Sequence, residues 1–178
     1  MKKIAFSFLL VFAGFQVLAQ ESPLDRFFDR YEKDTSFTVI HISPRMFQMF
    51  SQVAGSVAQQ EGQEQVLDVA RKLTGLRILT KDPCSDGLQL YRQASALLSR
   101  HYQELMSIRD KGSNLRFLVK QDPSGDIHEL VMLLDSDKQF LAMSLTGTID
   151  LKELSQIAGS MNIQGFDKLK DLPQSSRH

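Results

Sequence analysis

The sequence predicts an α+β fold, with helices packed on a mainly antiparallel sheet of about five strands. Two observations carry that expectation. In the first half of the chain, β-branched and aromatic runs are interleaved with apolar residues at helical spacing. In the second half, three strand-like runs follow one another, separated by short stretches of aspartate, serine, proline and glycine.

Residues 1–19 precede this fold and have the layout of a cleavable secretory signal peptide. Lys2 and Lys3 open the chain, residues 4–18 are apolar without a charge, and Val17-Leu18-Ala19 offers a cleavage point. The apolar run is shorter than the ~20 residues that span a bilayer. Charged residues resume at Glu21, Asp25, Arg26 and Asp29, so no stable membrane anchor is expected after cleavage near Ala19. A lipoprotein would need a cysteine at the cleavage point, and the single cysteine is Cys84. The expected location is the periplasm or the medium.

The expected division is a signal peptide over residues 1–19, an amphipathic helix and linker over 20–36, one α+β domain over 37–160, and a C-terminal extension and tail over 161–178. The mature part, about 160 residues long, is sufficient to bury a core without disulfides or metals. The chain has 21 basic and 21 acidic residues, two of the basic ones being Lys2 and Lys3. The mature part is thus slightly acidic, and without a basic cluster it has no electrostatic footprint for nucleic acid.

Leu24, Phe27, Phe28 and Tyr31 recur at helical spacing among charged residues and predict a short amphipathic helix. Residues 37–42 (Phe-Thr-Val-Ile-His-Ile) predict a strand. Ser43-Pro44 then places a capping hydroxyl before a proline at the first helical position, where the missing N–H costs nothing. In the helix that starts there, Met46, Phe50, Val53 and Val57, flanked by Phe47 and Ala54, are expected to form the buried stripe, and Met49 projects away from it.

A Gly- and Gln-rich stretch over residues 55–65 interrupts the pattern. Val66, Leu67, Val69, Ala70 and Leu73 predict a second short helix ended by Gly75, and residues 76–81 predict a strand with Leu76 and Ile78 on one face. Asp82-Pro83 stops it. Ser85 or Asp86 can cap a long helix over residues 87–109 that closes at Lys111-Gly112, with Leu90, Ala94, Leu97, His101, Leu105 and Ile108 on its stripe.

Residues 115–120, 127–134 and 139–145 predict three strands of an antiparallel meander, because the loops between them are too short for crossovers. Residues 130–134 are apolar without a break, which places the middle strand inside the sheet. Asp150 and Glu153 can form the capping box of a last helix over residues 151–158. Beyond Gly159, the residues Ile163, Phe166, Leu169 and Leu172 suggest one more helix before a polar tail.

Several separated segments agree in order with a known family. They are Phe28-Asp29-Arg30-Tyr31, residues 37–50, Leu73-Thr74-Gly75-Leu76-Arg77-Ile78-Leu79, residues 102–112, Glu129-Leu130-Val131-Met132-Leu133 and residues 145–151. The chain resembles the exported group, common in Bacteroidetes, called domain of unknown function 4252. That resemblance implies export and brings no activity, cofactor or site residues with it.

The residues themselves name no reaction. Cys84 follows Pro83 without a glycine-rich nucleophile turn, and none of His41, His101 and His128 adjoins it in sequence, so a buried, inert thiol is expected. His101, on the apolar stripe, reads as a hydrogen-bonded core histidine, and neither His41 nor His128 has a second ligand at metal spacing. The aspartates of residues 122–126 and 135–137 are what tight turns prefer, and the calcium-loop spacing is absent. Gly147, Gly159 and Gly165 make no phosphate-binding pattern. No catalytic residue, cofactor or metal is therefore predicted.

What stands out is the crowding of Met46, Phe47, Met49 and Phe50, which cannot all face one side. Flexible thioethers and aromatics left exposed suit a protein or peptide partner. The expectation is a non-enzymatic exported binding or envelope-signalling module, with Met49 as the partner contact; the alternatives are a hydrolase and a small-ligand or lipid carrier. Oligomeric state is open at this point.

Overall fold

The computed structural model describes residues 22–55 and 63–161. The expected signal peptide, residues 56–62 and the suggested helix carrying Ile163 to Leu172 lie outside the described residues. The described chain is α+β. Five helices accompany one open antiparallel sheet of six strands, one strand more than expected.

Helix α1 (Pro23–Tyr31) begins where Ser22 Oγ accepts from Leu24 N at 3.2 Å, with proline in its first turn. Its Leu24, Phe27 and Phe28 have no exposed surface. Burying each is worth roughly 1.5–3 kcal/mol, so this helix is part of the core. Strand β1 (Thr38–Ile42) leads through Ser43 into α2 (Pro44–Gly55), whose Met46 N lies 3.4 Å from Ser43 Oγ.

Helix α3 (Gln63–Lys72) runs without a connecting loop into β2 (Leu73–Lys81). Gly75 therefore does not end the helix as expected. It lies inside β2 beside a register shift, where an added Cβ would sit 2.8 Å from Thr146 Oγ1. The close approach of β6 explains this glycine, and chain reversal has no part in it.

The predicted helix over residues 87–109 is two elements. Helix α4 (Gly87–Leu98) ends first, and β3 (Gln103–Asp110) follows it. Leu105 and Ile108 thus belong to a strand, and His101 is an exposed residue of the turn between the two elements, not a core histidine. The register shifts between Glu104 and Met106, so Leu105 and Met106, although consecutive, join one apolar cluster. That irregularity breaks the alternation by which a strand is recognised. Lys111 and Gly112 (φ 39° and 88°) form the two-residue hairpin turn to β4 (Ser113–Gln121), and this pair of positive φ values, not a helix end, is what the glycine serves.

Strands β5 (Ile127–Asp135) and β6 (Phe140–Ile149) complete the meander, and α5 (Leu151–Met161) follows. Asp150 Oδ1 accepts from Lys152 N and Glu153 N, as a capping residue should. Glu153 does not complete the box; its carboxylate pairs with Lys72 Nζ at 2.7 Å and ties α5 to the end of α3.

The strand order is β1-β2-β6-β5-β4-β3, antiparallel throughout, so β5 and β6 are central. Side chains alternate across it and make two cores. On one face α1 and α4 bury Leu79, Leu118, Val131, Leu133, Phe140 and Ala142. On the other, Val69 of α3 and Leu154 of α5 join Phe117, Val119, Leu130, Met132, Met143 and Leu145.

Candidate functional site

Helix α2 lies against α3 and β2 on the second face of the sheet. Its apolar residues are distributed otherwise than expected. Met46, Met49 and Phe50 are 56 %, 51 % and 48 % exposed, whereas Phe47 and Ser51 are half-buried. At ~100° per residue, Met46, Met49 and Phe50 share one arc and Phe47 and Ser51 another. The second arc meets the protein. Met46 and Phe50 therefore do not form the expected buried stripe, and Val53 and Val57 lie outside the described side chains. Met49 is exposed, as its position on the helix suggested.

Ile40 of β1 is a further exposed apolar residue on this face of the sheet. It pairs with Ile78, whose side chain belongs to the second face, and it is 43 % exposed. Four large apolar side chains thus stand in solvent on the same side of the sheet, on two consecutive elements. Arg45 borders them on α2.

Cys84 and its neighbour Asp86 are engaged in the fold. Cys84 is buried, its N–H donates to Lys138 O at 2.7 Å, and its thiol donates to Asp86 Oδ1 at 3.3 Å. Burial, and next the bond to Asp86, push the thiol up from its ordinary range, the opposite of what a thiolate nucleophile needs. Asp86 is held low chiefly by Lys81, whose Nζ lies 2.8 and 3.0 Å from its carboxylate oxygens. Asp86 takes the N-cap position of α4 but makes no capping bond with its side chain. His41 and His128 are both exposed, on β1 and β5.

The aspartate turns use their carboxylates locally. Asp122 accepts from Ser124 N at 2.9 Å, Ser124 Oγ at 2.5 Å and Asp126 N at 3.0 Å, and lies 2.9 Å from His128 Nε2. The Ser124 hydroxyl above all, then His128, hold its carboxyl well below the usual range. Asp135 is buried and accepts from Asn114 Nδ2 at 3.0 Å. Among the described residues, no three His, Cys, Asp or Glu side chains converge as a metal site would require.

Two polar clusters escaped sequence reasoning. In the first, Glu129, 5 % exposed, accepts from Tyr102 OH at 2.6 Å and from Ser144 Oγ at 2.7 Å, and Tyr102 OH meets Ser22 Oγ at 2.8 Å. Burial and then Glu129 push the Tyr102 phenol up, so it stays protonated and donating. The one available signal was a carboxylate in a strand at the position whose neighbours two residues on are core. In the second, Arg77 of β2 reaches Asp25 and Asp29 of α1 at 3.0 and 2.7 Å and lies 4.8 Å from the Phe28 ring centroid. Both clusters fasten α1 to the sheet.

An open groove of about 570 Å³ runs along the start of α4, lined by Ser85, Asp86, Leu88, Gln89, Arg92 and Gln93. Its one acidic group, Asp86, is already paired with Lys81. No helix among the described residues is long and apolar enough to cross a membrane.

Fold and surface together define an α+β domain of one antiparallel sheet, helices on both faces and an apolar helix surface open to solvent. The chain belongs to the family described as domain of unknown function (DUF4252), which matches residues 31–157. The match begins at the last residue of α1, although Leu24, Phe27 and Phe28 of that helix are wholly buried. No curated protein and no solved structure shows a significant match.

Proposed function

We propose that this chain is an exported, non-enzymatic binding module that holds an apolar segment of an envelope protein or peptide against α2. The exposure of Met46, Met49 and Phe50 on one arc of a helix carries this reading. Apolar side chains scattered singly over a surface need no explanation, whereas three within five residues on one arc of a helix make a patch. Methionine adapts its unbranched side chain to an irregular partner, and an aromatic ring supplies contact area with few torsions to freeze. Export rests on the charge and hydropathy pattern of residues 1–19.

The proposal is tested by capture from envelope extracts, comparing the parent protein with Met49→Asp and Phe50→Asp. Both substitutions are expected to reduce capture of a given partner at least tenfold, which corresponds to a loss of about 1.4 kcal/mol. Thermal stability should change little, because each side chain is about half exposed. Undiminished capture by both variants, with the fold intact, refutes the reading. So does a melting temperature lowered as far as a core deletion lowers it, which would mean that the patch is covered.

A further inference from the structure

We propose that Met46 and Met49 form a paired oxidation site, at which a peroxide converts both thioethers to sulfoxides and turns the α2 surface from apolar to polar. Loss of the bound segment is the consequence, and for that consequence the inference rests on the binding role proposed above. The observation is how unequally the sulfur atoms of the fold are covered. Met46 and Met49 are more than half exposed, whereas Met132 and Met143 are 4 % and 6 % exposed and Met106 is half-buried. Cys84, a thiol that would otherwise compete for the oxidant, is buried and pushed up, away from the reactive thiolate. An oxidant arriving from solvent therefore meets the two methionines of α2 first. They stand three residues apart, which makes them neighbours on one helix face.

The step is an oxygen transfer. A sulfur lone pair attacks one oxygen of hydrogen peroxide, the O–O bond breaks, that oxygen stays on sulfur, and the other leaves as water after a proton shift. Sulfur gives up two electrons and the peroxide is reduced. Each product carries a polar S–O group that accepts hydrogen bonds from water, and covering it with an apolar partner strips those bonds away. Two of the three side chains on the exposed arc change in this way, and Phe50 alone stays apolar. The fold is spared, because Phe47 and Ser51, on the other arc, make the contact with the protein. Oxidation of Met132 or Met143 would instead put a polar group into the core. Dithiol-driven reduction reverses the change, returning the oxygen as water and leaving a disulfide on the reductant.

The test treats the folded protein with hydrogen peroxide and follows each methionine by peptide mass spectrometry. Met46 and Met49 are expected to oxidise at least ~10-fold faster than Met132 and Met143. Retention on a phenyl-bearing column then reads the apolar surface without any partner, and circular dichroism reads the fold. Oxidised protein should elute earlier with an unchanged spectrum and should recover its retention after the two epimer-specific methionine sulfoxide reductases act with dithiothreitol. The double variant Met46→Leu, Met49→Leu keeps the volume and apolar character, so its retention should not respond to peroxide. Equal oxidation rates at the buried and exposed methionines overturn the proposal, as does unchanged retention once both α2 sulfurs are oxidised. A retention loss of the same size in the leucine variant also overturns it. Capture from envelope extracts separates this inference from the reading beneath it. Capture that depends on α2 and survives oxidation of both sulfurs ends the inference alone, whereas capture indifferent to Met49→Asp and Phe50→Asp ends the binding reading and leaves the column to decide the oxidation site.

Discussion

Tyr102→Phe isolates the buried polar cluster, because it keeps the ring and deletes only the hydroxyl. That hydroxyl joins three elements. It donates to Glu129 Oε2 at 2.6 Å on β5 and meets Ser22 Oγ, the cap of α1, at 2.8 Å, while Tyr102 itself follows α4. A hydrogen bond to a charged group contributes about 1.5–3 kcal/mol net, and a buried carboxylate short of a donor is the costly case. Glu129 keeps its bond from Ser144 Oγ, and Ser22 keeps its bond from Leu24 N, so the loss is confined to one link. The expected destabilisation is about 2–3 kcal/mol, which lowers the melting temperature of a domain this size by roughly 4–12 °C. Urea unfolding of parent, Tyr102→Phe, Ser22→Ala and the double variant measures it. A coupling between the two sites of at least ~0.5 kcal/mol is expected for residues in one network. A Tyr102→Phe cost below ~0.5 kcal/mol would refute the claim that this cluster fastens α1.

Gly147→Ala should be among the most damaging single-methyl changes. Gly147 has φ +142°, and an added Cβ would lie 2.3 Å from Lys72 O and 2.7 Å from Leu73 Cα, backbone atoms that cannot step aside. A loss of about 2–4 kcal/mol in urea unfolding is expected from overpacking and strain together. Cys84 should resist alkylation in the native protein and react on unfolding, since its thiol is buried and pushed up, and Cys84→Ser should retain partner capture within a few-fold. Mass spectrometry after iodoacetamide treatment reads the first of these. For Asp122, whose folded carboxyl is held below its ordinary range, the native state binds fewer protons than the unfolded chain near pH 4. Its stabilisation is therefore present above about pH 4 and declines as pH falls below it. Asp122→Asn should flatten the acid limb of the stability curve; an unchanged limb would mean that the turn's bonds hold the neutral acid equally well.

Local chemistry made much of the fold legible. Ser43-Pro44 and Asp150 mark helix starts by groups that act on the adjacent N–H donors, and the 113–149 meander follows from strand runs joined by loops too short to cross over. Burial of Cys84 likewise followed from a small apolar side chain with no partner for a disulfide. What misled was local geometry that imitates another period. The bulge at Glu104–Met106 places two successive residues on one face, and Leu105 and Ile108 then match helical spacing, so β3 was hidden behind the end of α4.

Helical periodicity determined that Met46 and Phe50 share a side of α2, but it could not decide which side meets the sheet. That choice depends on how α2 packs on α3 and β2, and the packing turned Phe47 inward and left Met46, Met49 and Phe50 in solvent. The same holds for Ser22, Tyr102, Glu129 and Ser144, which are far apart in sequence and bonded only because α1, the end of α4, β5 and β6 converge. Hydrogen bonds of this kind have no period and no motif. The sequence by itself determined the α+β class, most of the strands and the presence of an apolar surplus in residues 46–50. Only the tertiary structure decided that this surplus is a surface, because exposure depends on what the rest of the chain covers.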